Sequence, residues 1–220
     1  MRTDISQRDT ADLLQLSRSE DDEDLAHQAL WTVLKRWEAG IDVSLLIDLI
    51  SSAAVSERLR ASDYLYEVSP RVDSVKDVVI KLADDVLAEC RAAFVAYLIN
   101  SGWYGDTAAE GLVRCIHDFD LRVRLKAIDW AILTTDERFE DFASRMMVDF
   151  NTPSRNPWTQ RIKKRGLRAL AIARCLRDGE SVAQTRAAVP EDDSLTFDHL
   201  SVFESHYERQ RKRRYPPDGV

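Results

Sequence analysis

The segment DLRVRLKAIDWAI at positions 120–132 decides the fold class of this chain. Val123, Ile128 and Ile132 lie one residue before, four residues after and eight residues after Arg124. Residues at these offsets share one face of a helix with 3.6 residues per turn, whereas a strand divides them between its two faces. The segment therefore predicts an amphipathic helix.

The same apolar pattern occurs four more times, with Ala26, Arg60, Arg91 and Arg168 in the place of Arg124. The intervals between the five reference positions are 34, 31, 33 and 44 residues, so the last one carries an insertion of about ten residues. A repeated helical unit of this length predicts stacked helices. The apolar residues at the three offsets are Leu25, Leu30 and Leu34; Leu59, Tyr64 and Val68; Cys90, Val95 and Ile99; and Leu167, Ile172 and Leu176.

Each of these first helices is followed by a break and then by a second apolar stripe at helical spacing, which predicts five helical pairs. A final helix is expected from Ser194 to about Arg211, with Leu195, Leu200, Phe203 and Tyr207 facing inward. Only 7 Gly and 6 Pro are present, too few for an all-β fold with many tight turns. We expect one domain over residues 1–220, with residues 1–18 as a loose lead-in and residues 212–220 as a basic, proline-containing tail.

The run formed by Asp120, Val123-Arg124, Ala127 and Ala131 resembles the first helix of a HEAT-type repeat. Leu59-Arg60-Ala61, Cys90-Arg91-Ala92 and Leu167-Arg168-Ala169 are similar to it, and the resemblance covers most of residues 25–188. It implies an all-α fold, an α-α superhelix of about five pairs plus a C-terminal helix. It also implies a protein that binds macromolecules, and it implies no reaction.

The sequence predicts a cytoplasmic protein. The N-terminus lacks the apolar region of a signal peptide, and the longest stretch without a charge, residues 92–105, is 14 residues long and too short to cross a membrane. Three widely separated cysteines, Cys90, Cys115 and Cys175, do not predict a disulfide framework.

The sequence lacks the common catalytic and cofactor-binding motifs. It contains no glycine-rich phosphate loop, no Gly-x-Ser-x-Gly elbow and no HExxH arrangement. His199 and His206 are too few for a metal site, and the cysteines lie beside apolar residues, as core thiols do. We therefore expect no catalytic residue, no metal and no cofactor.

The formal net charge is −7, and it is unevenly spread. Residues 209–220 carry a net charge of +4, so the other 208 residues carry −11. An acidic body repels phosphates and favours a basic protein partner, although solubility alone also accounts for such a charge. An acidic inhibitor or immunity protein that neutralises a basic bacterial toxin domain, such as a nuclease, is the leading hypothesis.

Carboxylates recur in the turns beside the predicted second helices, where stacking would align them in one acidic ridge. A solvated charged surface is the alternative for each of them. A loop pair of aromatic residues either anchors the partner or fills the gap between repeats. The predicted partner-binding residues are Asp84, Asp85, Trp103, Tyr104, Asp118, Asp120, Asp136, Glu137, Glu140 and Asp141.

The insertion at residues 151–166 favours a second hypothesis, nucleic-acid binding, because it places basic residues beside an aromatic one. Ser154, Asn156, Trp158 and Arg161 are similar in spacing to a segment of helical-repeat DNA glycosylases of the alkylation-repair type. The resemblance assigns no catalytic aspartate here. The predicted nucleic-acid-binding residues are Arg155, Trp158, Arg161, Lys163 and Lys164.

Overall fold

The computed structural model describes residues 5, 7–19, 21–154, 156–189 and 194–214. Over these residues the chain forms twelve α-helices and no strand, which confirms the predicted all-α fold. A 3₁₀ turn at Ile80–Asp84 continues α5. The helices are α1 (Thr10–Leu16), α2 (Glu23–Glu38), α3 (Ser44–Ser51), α4 (Val55–Glu67), α5 (Asp73–Val79), α6 (Ala88–Ser101), α7 (Asp106–Ile116), α8 (Leu121–Leu133), α9 (Asp136–Asn151), α10 (Pro157–Asp178), α11 (Val182–Ala188) and α12 (Ser194–Arg214).

The five predicted first helices are α2, α4, α6, α8 and α10. None of the fifteen apolar residues that defined them is exposed, although in α4 the most buried residues are Ala61, Ser62 and Leu65. Trp37 of α2 is fully buried, and its ring centroid lies 5.3 Å from that of Tyr64 in α4. Buried side chains from Ile5 to Tyr207 form one hydrophobic cluster, and its burial is the main force that holds the helices together.

The helices contact each other in two rows. In the first row α4 contacts α6, α6 contacts α8, and α8 contacts α10. In the second row α3 contacts α5, the 3₁₀ turn after α5 contacts α7, and α7 contacts α9. Glycines in the left-handed conformation, Gly40 at φ 76°, Gly102 at φ 67° and Gly179 at φ 99°, follow α2, α6 and α10, where they end three of the predicted first helices.

The N-terminal segment differs from the expected loose lead-in, because residues 10–16 form α1 and pack on α2. Leu13 is fully buried there, and Asp9 caps the helix by accepting a hydrogen bond from the Asp12 amide. Arg36 of α2 donates to the Thr10 hydroxyl. Three leucines and one alanine among polar residues were too weak a pattern to predict this helix from the sequence.

The C-terminal helix α12 packs on α8 and α11, and its inward face differs from the predicted one. Phe197, Leu200 and Tyr207 are buried, whereas Leu195 is 59% exposed and Phe203 is 43% exposed. The buried Tyr207 hydroxyl donates a hydrogen bond to Asp129 of α8, which fixes the rotation of α12. The helix includes residues 212–214, and the rest of the predicted tail, residues 215–220, lies outside the described residues.

Candidate binding surfaces

Two of the predicted partner-binding acids lie inside the structure. The side chains of Asp85 and Asp118 are 10% and 9% exposed. Asp85 accepts a hydrogen bond from Arg58 Nε at 2.8 Å, and Asp118 accepts from Arg91 Nε at 2.6 Å and from Arg91 Nη2 at 2.9 Å. A partner would have to break these internal ion pairs to reach either carboxylate.

The arginines in these pairs make a set of contacts that recurs every 33 residues. Arg58, Arg91 and Arg124 each donate through Nη1 to the carbonyl oxygens five and six residues earlier in the chain. Arg58 and Arg91 also bind an aspartate 27 residues later, in the next turn between rows. Arg58 and Arg91 therefore each link one inter-row turn to the next.

This geometry corrects the repeat register at α4. The sequence pattern used Arg60 as the reference position, but Arg58 makes the contacts that Arg91 and Arg124 make. The two registers were hard to separate in the sequence because a serine, Ser62, occupies a buried position where the other helices have an apolar residue. The Ser62 hydroxyl is accommodated by donating to the Arg58 carbonyl oxygen.

The other predicted acids are exposed or partly exposed, and most of them are paired with arginines. Hydrogen bonds from Arg122 hold the pKa of Asp120 below its usual value, and those from Tyr104 and Arg145 do the same for Asp141. Glu137 is exposed, and no ion pair of this residue is found among the described residues. The ridge is therefore largely neutralised by the pairs Asp84–Arg114, Asp120–Arg122, Asp136–Arg177, Glu140–Arg174 and Asp141–Arg145.

Trp103 and Tyr104 fill the space between neighbouring helices. The Tyr104 ring stacks on the buried Trp130 ring with centroids 5.4 Å apart, and its hydroxyl donates to Asp141 Oδ2 at 2.5 Å. Trp103 meets the buried Tyr97 ring edge-on at 6.3 Å. Both side chains are only half exposed, so this geometry matches the gap-filling alternative.

Unpaired negative charge is concentrated in the N-terminal half of the chain. Residues 1–110 contain 21 Asp and Glu against 11 Lys and Arg, whereas residues 111–220 contain 17 against 20. Among the described residues of the N-terminal half, the following acids are exposed and make no ion pair with Lys or Arg: Asp21, Asp22, Glu23, Asp24, Asp48, Glu57, Asp63, Glu67, Asp77 and Glu110.

An exposed aromatic pair lies in the more basic half of the chain, residues 111–220. The rings of Phe119 and Trp158 are 5.7 Å apart, and these residues are 58% and 52% exposed. The Arg165 guanidinium lies 5.7 Å from the Phe119 ring centroid, and that of Arg161 lies 5.9 Å from the Trp158 ring centroid. Phe119 and Arg165 were not among the predicted site residues, because a phenylalanine just before a helix resembles a core residue in sequence.

The other predicted nucleic-acid-binding residues are placed differently. Lys164 is exposed, but Lys163 is buried and its ammonium group donates to the carbonyl oxygens of Asp149 and Thr152. Lys163 therefore caps the C-terminal end of α9 and is not available to a ligand. Arg155 lies outside the described residues.

At its N-terminal end, near the aromatic pair, helix α10 is longer than α6 and α8. Helices α6 and α8 each begin three residues before their reference arginines, Arg91 and Arg124, whereas α10 begins eleven residues before Arg168. The eight additional residues extend α10 by about 12 Å at 1.5 Å per residue. Asn156 caps this extension by accepting from the Trp158 amide, and Pro157 occupies the first turn, where its missing amide proton has no cost.

Two grooves flank α9, with volumes of about 550 Å³ on the α7 side and about 660 Å³ on the α10 side. Arg114, Arg145 and the Asp141 that pairs with Arg145 line the first, and Met147 and Leu170 line the second. Neither groove brings a nucleophile together with a base and an orienting group, as an acyl-transfer site would.

Burial shifts the pKa values of several titratable groups elsewhere in the structure. Burial raises the pKa of the Cys90 and Cys115 thiols, which makes them poor nucleophiles. Burial lowers the pKa of the His117 imidazole, although the nearby Asp149 opposes this effect. Within the described part of the chain, no group of three or more His, Cys, Asp or Glu is placed to hold a metal ion.

Comparison of the chain with family models, with curated proteins and with solved structures gave no match. Over the described residues, no helix is both long and apolar enough to span a bilayer.

Proposed function

We propose that this chain is a protein-binding scaffold without catalytic activity, built as a short HEAT-like α-α superhelix. The two rows of helices support this architecture, because each helix of a row packs on the next. The arginine contacts that recur at 33-residue intervals from Arg58 to Arg124 support it as well. A stack of this kind leaves a long continuous surface for recognition.

The partner in this proposal is a basic protein, and the chain acts as its acidic inhibitor. An immunity protein that neutralises a basic nuclease domain of a bacterial toxin is the specific form. The observation that carries the proposal is the excess of ten acidic over basic residues in positions 1–110, with many of these carboxylates exposed and unpaired. Such a surface attracts a basic partner at long range and speeds its association.

The contact surface in this proposal is the N-terminal half and not the ridge of turns predicted from the sequence. Acids of the turns are held by their own arginines, so their fields are largely cancelled at the distance of an approaching protein. At the start of α2, by contrast, Asp21, Glu23 and Asp24 are exposed together.

The proposal is tested with the purified chain and the basic protein encoded in the neighbouring reading frame. We expect a complex whose association rate at 50 mM salt falls about tenfold when Asp21→Asn, Glu23→Gln and Asp24→Asn are combined. Asp22 is kept because it caps α2.

The control variant combines Asp84→Asn, Asp120→Asn and Glu140→Gln, which changes the net charge equally but alters only paired acids. Because these three acids lie outside α2 to α5, we expect less than a twofold change in its association rate, by stopped-flow fluorescence. Equal effects of both variants, or no complex at all, would refute the proposal.

A further inference from the structure

We infer that Phe119, Trp158, Arg161, Lys164 and Arg165 form a binding site for single-stranded nucleic acid. These five residues are called the aromatic edge below. The site is separate from this chain's acidic surface, to which the basic protein partner is proposed to bind, and it does not depend on that proposal.

The two rings offer an exposed stacking platform. Trp158 and Phe119 expose more than half of their surfaces, whereas another aromatic pair, Trp130 and Phe142, is buried. Base–aromatic stacking is tolerant of sequence, because every base has a π-face. A duplex keeps its bases stacked inside, so the platform fits a single strand.

The charge around the platform fits a polyanion. Residues 150–177 contain eight Lys and Arg and no Asp or Glu, in a chain with a net charge of −7. Lys163 and Arg177 are held in internal contacts, but Arg161 and Lys164 are exposed and Arg165 is half exposed.

The two acids that flank Phe119 in the sequence do not cancel these cations, and Asp149 is paired with Lys163. Asp118 is buried in its pair with Arg91, and Asp120 is bound by Arg122. Two of the cations, Arg161 and Lys164, lie on the eight-residue N-terminal extension of α10. A strand with its bases on the two rings can therefore place its phosphates beside Arg161, Lys164 and Arg165.

The test is fluorescence anisotropy with a fluorescein-labelled ten-nucleotide oligothymidylate at 50 mM salt, using the full chain. We expect Trp158→Ala and Phe119→Ala each to weaken binding about tenfold. Both residues are exposed, so we expect the variants to fold normally. An unchanged thermal unfolding temperature checks this. Trp31→Ala is the matched control, because Trp31 is 53% exposed with the Lys35 ammonium 5.6 Å from its ring centroid, but lies in the acidic half.

Salt dependence tests the cations separately. Three phosphate contacts predict a slope of about −2 for log affinity against log salt, and Lys164→Ala should reduce its magnitude by about 0.7. Three outcomes would overturn the inference: no binding at 50 mM salt, an unchanged affinity of the Trp158→Ala variant, or a heparin or duplex competitor that displaces the strand as well as unlabelled oligothymidylate does.

Discussion

Gly166→Ala is expected to destabilise the protein by about 2 kcal/mol, the cost of overpacking a core site, although alanine normally stabilises a helix interior relative to glycine. Gly166 lies in the middle of α10, and a Cβ atom there would meet His117 Nδ1 at 2.0 Å and Cε1 at 2.4 Å. His117 is 8% exposed, so its imidazole has little room to move away. Urea unfolding followed by circular dichroism measures the effect.

A double-mutant cycle identifies the cause. In the His117→Ala background the clash is removed, and Gly166→Ala should then stabilise the protein by about 0.5–1 kcal/mol, as helix propensity predicts. If Gly166→Ala is as stable as the original chain when His117 is present, α10 and the end of α7 do not approach as closely as described.

Arg91→Met is expected to lower the free energy of unfolding by about 3 kcal/mol, as breaking a buried ion pair does. Methionine keeps the apolar stem, but Asp118 loses both of its guanidinium donors while 9% exposed. The carbonyl oxygens of Asp85 and Val86 lose their donor as well. The hydrogen bonds to Asp118 raise the pKa of Arg91, so they favour its charged form.

Arg122→Met is the control for this prediction. Arg122 also binds two acids, Glu89 and Asp120, but its side chain is 62% exposed. Exposed ion pairs contribute little, so we expect a change within about 0.5 kcal/mol in the same urea titration. Losses of similar size for the two variants would show that the recurring arginine contacts are not structural links.

Helical periodicity made most of the fold predictable from the sequence. Burial is decided by the face of a helix, and the offsets around Arg91 and Arg124 identified that face directly. The rotation of α12 was not predictable, because two stripes of its sequence have helical spacing. The choice depends on the bond between Tyr207 and Asp129, which are 78 residues apart.

The candidate surfaces were harder to predict than the fold. A list of acids in the turns does not reveal that Arg177 reaches Asp136 from 41 residues away, or that Arg174 reaches Glu140. Lys163 and Lys164 are neighbours in sequence, yet one caps α9 and the other faces solvent. Such differences arise from the packing of separate helices and leave no local pattern.

The two proposed surfaces carry opposite charges and lie in different parts of the molecule. Exposed acids near Asp21 and Asp24 lie in the N-terminal half, and cations near Arg161 and Lys164 lie at the aromatic edge. An inhibitor of a nuclease that also holds a nucleic-acid strand would present two surfaces of opposite charge to a basic enzyme and its substrate. Each surface can be removed without the other, so the two proposals are separable.

Amide hydrogen exchange of the chain with and without its basic partner tests the central claim most directly, because it locates the partner on the helices. We expect the partner to protect amides of α2 to α5, residues 23–79, from exchange, and to leave exchange in residues 157–168 of α10 unchanged. Protection confined to α10 and the Phe119 turn, with α2 to α5 exchanging as in the free chain, would contradict it.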